Sequence, residues 1–199
     1  MNRLFLLSIL VLTIAINSCD SGKQLGQSKQ TAQTYYSTGE FDKALSSWET
    51  IITAYESKGK EKDCDVYTNA AMASNKLGNS EKALTYLKKA TYSDFSNEDT
   101  YFTLAEIYKA QDNLSLELEN LEIYSSKYPQ GKYTAEVNTR LFNLYTEIEN
   151  WGKANEFWNI LTPEQQMLSP QLESYLTVND KLDNTDKCIE LSNKLLAID

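Results

Sequence analysis

Gly78-Asn79-Ser80-Glu81-Lys82-Ala83 decides how this 199-residue chain is read, because near copies of it recur along the sequence. Gly39-Glu40-Phe41-Asp42-Lys43-Ala44 is the closest copy. Glu149-Asn150-Trp151-Gly152-Lys153-Ala154 and Asp183-Asn184-Thr185-Asp186-Lys187-Cys188 follow, and Asp112-Asn113-Leu114-Ser115-Leu116-Glu117 departs furthest. Each lies between two stretches of helical apolar spacing. Glycine at the first position can take the left-handed conformation that closes a helix, and Asn or Asp tolerates it better than most residues. A small residue at the sixth position lets the next helix lie close against the one before, where a bulky one would overpack at a cost of about 1–3 kcal/mol. The copies therefore predict five tight helix-turn-helix units.

The sixth positions fall at 44, 83, 117, 154 and 188, giving spacings of 39, 34, 37 and 34. A period near 34 residues made of two helices resembles the tetratricopeptide repeat. Set against that motif, its tyrosine slot holds Tyr35, Ser74, Tyr108, Tyr145 and Asn179, and its large-residue slot holds Trp48, Leu87, Leu121, Trp158 and Ser192. In the third repeat Tyr101, Leu104, Ala105, Tyr108 and the closing Pro129 match the signature, although Glu117 replaces its small residue. The resemblance covers about residues 25–197 and implies an all-α, right-handed superhelical solenoid of about five repeats. These run over about 25–58, 64–97, 98–131, 135–168 and 169–199. The competing reading is a nonrepeating helical bundle.

Ahead of the repeats, Asn2-Arg3 gives a short positive start and Leu4 to Ile16 an apolar run of thirteen residues. Ile16-Asn17-Ser18-Cys19 then resembles the cleavage site of a bacterial lipoprotein signal, with Asn17 less usual there than a small residue. A retained membrane-spanning helix would need about 20 apolar residues. Residues 1–18 are read as the signal peptide and Cys19 as the lipid-bearing first residue of the mature chain, anchored by palmitate-type acyl chains. Residues 19–24 form a tether of at most ~18 Å over its free part, so the repeats should sit near a membrane surface. The expected place is a bacterial envelope, the outer membrane facing the periplasm favoured over the inner membrane or cell surface; Asp20 resembles an inner-membrane retention signal used by some bacteria.

Without Arg3 the chain carries 18 basic against 28 acidic residues, a formal charge of −10. That disfavours nucleic acid and anionic lipid as partners and permits a basic protein. No histidine is present, which excludes Ser-His triads, the usual general base and His-containing zinc sites. Of the three cysteines, Cys64 and Cys188 lie about three repeats apart, so no disulfide is expected between them, and Cys188 in the small slot reads as a buried apolar residue. Glu117, Glu119 and Glu122 share one predicted helix and read as a solvated face. No phosphate loop, EF-hand or Walker pattern occurs. The chain is expected to be no enzyme and to need no cofactor, metal or small-molecule substrate.

Inward stripes follow from spacing: Tyr35, Phe41, Ala44, Leu45, Trp48, Ile51 and Ile52 in the first repeat, and Tyr67, Ala70, Ala71, Ser74, Leu77, Leu84, Leu87 and Ala90 in the second. The fourth supplies Leu141, Phe142, Tyr145, Ile148, Trp151, Ala154, Phe157, Trp158 and Leu161. Thr162-Pro163-Glu164-Gln165 reads as an N-cap, a proline at the first helical position and a capping-box glutamine, with Ser169-Pro170 repeating the start. Tyr128-Pro129-Gln130-Gly131-Lys132-Tyr133-Thr134-Ala135 resembles a feature of periplasmic repeat proteins, among them the lipoprotein of the outer-membrane β-barrel assembly machinery and the Tol-associated repeat protein.

The family resemblance implies a concave groove, lined by the first helix of each repeat, that binds a protein or peptide. Its positions here are Lys29, Gln33 and Tyr36, then Thr68, Asn69, Met72 and Lys76, then Phe102, Glu106 and Lys109, and finally Thr139 and Asn143. A non-catalytic scaffold tethered in the envelope follows as the expected function, with outer-membrane protein assembly or cell-wall coordination as the alternative.

Overall fold

The structure is a computed structural model that describes residues 24–57, 64–92 and 96–198. The signal-like segment, Cys19, the tether as far as Lys23 and residues 58–63 ahead of the second repeat lie outside the described residues, as does the side chain of Cys64. Among the described residues every regular element is a helix. They are α1 (24–37), α2 (Phe41–Glu56), α3 (Cys64–Lys76), α4 (Ser80–Tyr92), α5 (Glu98–Ala110), α6 (Leu114–Lys127), α7 (Thr134–Glu147), α8 (Trp151–Trp158), α9 (Pro163–Gln166), α10 (Ser169–Lys181) and α11 (Thr185–Leu196).

The five predicted turns all form, and by one mechanism. Gly39, Gly78, Asp112, Glu149 and Asp183, the first residue of each copy, take positive φ between 53° and 80°. The next N–H then reaches back to the carbonyl of the residue in the tyrosine slot: Glu40 to Tyr35, Asn79 to Ser74, Asn113 to Tyr108, Asn150 to Tyr145 and Asn184 to Asn179, at 2.8–2.9 Å. This six-to-one closure satisfies the carbonyls that a helix end leaves open. The same second residue starts the following helix. The side chains of Asn79, Asn113 and Asn150 accept from the N–H groups of Lys82, Leu116 and Lys153 at 3.1–3.2 Å, the N-cap bond that favours Asn there.

The chain gathers into two compact units divided between Asn97 and Glu98. In the first unit α2, α3 and α4 pack in sequence around Ala32, Ala44, Trp48, Ile51, Val66, Tyr67, Ala70 and Ala90. In the second, Leu121, Tyr124, Val137, Leu141, Phe142, Tyr145, Trp158, Leu172, Tyr175, Val178 and Leu191 form one core. Ala44, Ala83 and Ala154 in the sixth position are fully buried, as close helix approach requires.

Four expectations need correcting. Leu77 and Ile148, placed in the inward stripes, are 38% and 40% exposed. Each immediately precedes a left-handed turn residue, where the last helical turn swings the side chain out of the stripe. Cys188 is only half-buried. Ser169 is the first helical residue of α10 and its cap position belongs to Leu168, which makes no side-chain cap bond. At the far end Leu191 is buried and Leu195 half-buried, while Ile189, Leu196 and Ile198 are exposed.

The capping box of Thr162, Pro163 and Gln165 forms as expected, yet it opens a four-residue helix of its own. The spacing from the fourth to the fifth repeat stays at 34, so α9 is made from residues that elsewhere finish the repeat's second helix. Pro163 has no N–H to continue α8, and the cap holds the new direction.

Candidate protein-binding surface

The first helices of the repeats are α1, α3, α5, α7 and α10, and the groove positions fall on the first four. In the first unit Lys29 is half-buried with its ammonium 5.6 Å from the Tyr55 ring centroid. Tyr36 packs edge-on against Phe41 at 5.3 Å, Gln33 and Lys76 are exposed, and Met72 is half-buried. Asn69 is half-buried too and donates to the Asp65 carbonyl at 2.7 Å. Thr68 is 1% exposed. Its position faces the interior of the unit, so it lines no surface, a correction to the groove as read from the sequence.

In the second unit the groove positions converge on a residue that sequence reasoning did not single out. Arg140 on α7 donates through Nε at 3.2 Å and Nη2 at 2.6 Å to Oε1 of Glu117, and through Nη1 to Glu106. The Arg140 and Glu117 side chains are 10% and 9% exposed, that of Glu106 41%. The guanidinium also lies 5.8 Å from the Phe102 ring centroid, within range of a cation–π attraction. Glu117 therefore belongs to no solvated face. It fills the sixth-position slot that holds Ala in three other repeats, and its charge is tolerated there because an arginine from the next repeat meets it. Glu122, the third member of that expected face, accepts from the Tyr145 hydroxyl; Glu119 is exposed. The signal was available: a charged residue in a slot reserved for alanine needs a buried partner of opposite charge.

Phe102 stacks on Tyr133 with centroids 3.8 Å apart and planes 8° apart. The Tyr133 hydroxyl donates to Asp99 at 2.7 Å, and its N–H donates to the Tyr124 hydroxyl at 2.9 Å. Burial, and then the bond to the Asp99 carboxylate, push the Tyr133 phenol up to about 12. Tyr124 in turn donates to Glu98 Oε2 at 3.0 Å, which also accepts the Lys132 N–H at 2.8 Å. Gly131 lies against the Glu98 carboxylate and the Tyr124 hydroxyl so closely that a Cβ would collide with both. The Tyr-Pro-Gln-Gly-Lys-Tyr segment is thus a fixed support for the aromatic shelf.

Beside Arg140 opens a cleft of about 360 Å³ lined by Lys109 and Asn143, two of the groove positions, with Asp112, Leu114, Glu117, Leu144 and Glu147. Thr139 is set apart: the Gln165 amide of α9 donates to its Oγ1 and to the Ala135 carbonyl, both at 2.7 Å. Among the described residues no group of three or more His, Cys, Asp or Glu side chains is arranged to hold a metal, and no helix is long and apolar enough to cross a membrane.

The model of one family matches residues 65–97, which span α3, the Gly78 turn and α4. That model describes the tetratricopeptide repeat. No curated protein matches the chain in sequence. Among solved structures, MamA from AMB-1 is similar at 13% identity with a TM-score of 0.68, over 88% of this chain and 92% of that one. YrrB, described as a TPR protein with an unusual peptide-binding site, is similar at 14% and 0.66, over 86% and 84%. A putative kinesin light chain from Podospora anserina with nearly identical TPR-like repeats is similar at 15% and 0.60, over 88% and 94%. At such identities the likeness carries the fold alone: the described residues are all helical, and their fold is similar to that of solved TPR structures.

Proposed function

We propose that the protein is a non-catalytic TPR scaffold, attached to a bacterial envelope membrane through Cys19, that holds a protein or peptide partner on the first helices of its repeats. One observation carries this reading. Phe102, Glu106, Lys109 and Asn143, placed in a groove by their repeat positions alone, gather around Arg140, Glu106 and Phe102 by contact and the other two by lining the same cleft. A flat aromatic shelf beside a charged cleft on fixed helices suits recognition of an extended segment, and the family's use of that surface supports it. The peptide-binding site for which YrrB is described belongs to the same fold. The anchor rests on the sequence before the first repeat.

Two experiments test the two halves. A photocrosslinking residue at exposed Asn143 should capture a discrete partner in intact cells, while the same residue at exposed Glu119 on α6 should not; equal capture from both would remove the groove. Cys19→Ser should move the protein from the membrane to the soluble fraction. A variant that stays with the membrane would remove the lipid anchor.

A further inference from the structure

Resting on that reading, the cleft beside Arg140 says which chemistry the partner brings. Glu117 is more than nine-tenths buried, yet both Arg140 bonds fall on its Oε1. Its Oε2 accepts no hydrogen bond and is not sealed off from solvent, and the residue lines the cleft. With Oε1 taken by Arg140, the lone pairs of Oε2 face the water of the cleft and are free to accept from a cation that enters it. It also stands at the one sixth position where the repeat pattern departs from small residues altogether, and breaches of a local rule gather at functional sites.

The rest of the cleft agrees in sign. Asp112 and Glu147 are exposed carboxylates that make no side-chain hydrogen bond or ion pair. The Arg140 charge is already met by Glu117 and Glu106, which take three of its five N–H donors and weaken its pull on a ligand anion. Lys109 is the remaining cation there, exposed at the end of α5. Leu114 and Leu144 supply apolar wall on either side, and the whole chain is acidic, with a formal charge of −9. Apolar walls below a carboxylate rim suit a long side chain whose methylenes are covered while its charged head is met by oxygen.

We infer that this cleft takes a lysine or arginine side chain of a protein partner, its cationic head donating to Glu117 Oε2 and to the carboxylates of Asp112 and Glu147, its stem packed between Leu114 and Leu144. A volume of about 360 Å³ accommodates one such side chain with some water, at the small end of ligand sites. The site selects a basic residue within a chain, because Lys109 is outnumbered there by the carboxylates of Asp112 and Glu147 and the open Oε2 of Glu117.

The test uses the mature chain with labelled leucine methyls and labelled phenylalanine and tyrosine rings, and three acetylated, amidated pentapeptides. They carry lysine, norleucine or glutamate between two leucines. The lysine peptide should shift the Leu114 and Leu144 methyl resonances, and bind about fivefold more weakly to the Asp112→Asn, Glu147→Gln double variant. Glu117→Gln should weaken it about tenfold, and added salt should weaken it in the wild type. The double variant alters exposed residues only, so it decides the matter even if Glu117→Gln fails to fold. Norleucine binding as tightly as lysine, or a double variant indistinguishable from wild type, overturns the basic cleft. If the peptides then still shift resonances of Phe102 and Tyr133, the groove survives without the cleft; if no peptide perturbs α5 or α7, the groove falls as well.

Discussion

Removing Arg140 should cost the second unit far more than removing the glutamate it holds. Arg140→Met leaves the Glu117 carboxylate 9% exposed with no cation, a situation that costs about 3–5 kcal/mol when the charge is sealed in. Because Glu117 Oε2 opens on the cleft and can draw water, the expected loss is at the lower end, about 3 kcal/mol. Glu117→Ala restores the small residue of the other repeats and leaves Arg140 with Glu106, which is 41% exposed, and with Glu136 at 3.9 Å. Its expected cost is about 1 kcal/mol. The double variant, which leaves no buried charge behind, should lie within about 1 kcal/mol of wild type, a coupling near 3 kcal/mol. Repeat arrays need not unfold in one step, so the assay must see the second unit alone. Trp48 lies in the first unit, Trp151 and Trp158 in the second. In a Trp48→Phe background, urea unfolding followed by tryptophan fluorescence therefore reports the second unit. Equal losses for the two single variants, or a double variant as unstable as Arg140→Met, would refute the account of this pair.

The left-handed turns predict opposite signs for opposite substitutions. Gly78→Ala, at φ 76°, should destabilise the first unit by about 1 kcal/mol, read from Trp48 fluorescence in a Trp151→Phe, Trp158→Phe background, while Glu149→Gly, at φ 60°, should stabilise the second unit by a similar amount in the urea assay above. Gly131→Ala should cost about 1–3 kcal/mol, since its methyl meets the Glu98 carboxylate and the Tyr124 hydroxyl; a neutral result would mean the support under Tyr133 yields. Ala83→Leu should lower the melting temperature more than Lys89→Ala, because Ala83 is fully buried and Lys89 is exposed. Alkaline titration should find Tyr133 late. Its folded value lies above the ordinary 10, at about 12, so the stability it contributes is present below pH 10 and lost as pH rises towards 12. Tyrosinate absorbance between those limits should jump when denaturant is added, and by less in Tyr133→Phe.

The fold was legible because two local devices repeat with it. A residue able to take positive φ and an Asn beside it occupy the same places in most copies, and both act within a few residues. What the sequence hid was longer in range. Leu77 and Ile148 satisfy helical spacing, but spacing does not say that the last turn bends away from the core. The groove list came out mixed for a similar reason: Thr68 is buried between helices and Thr139 is reached by a glutamine twenty-six residues further on. Arg140 went unnoticed because an isolated arginine on a helix is ordinarily solvated; only Glu117, wrong for its slot, pointed to it.

The reciprocal turns have a further consequence for where this chain can change length. From tyrosine slot to sixth position the count is nine in every repeat, Tyr35 to Ala44, Ser74 to Ala83, Tyr108 to Glu117, Tyr145 to Ala154 and Asn179 to Cys188. From each sixth position to the next tyrosine slot it runs 30, 25, 28 and 25. The chain thus alternates an invariant joint, where one residue closes a helix and its neighbour opens another, with an elastic joint where residues are gained or a helix is broken. An epitope or a fused domain grafted into the first kind would unseat two helices at once. The second kind, such as the stretch that carries α9, would absorb it.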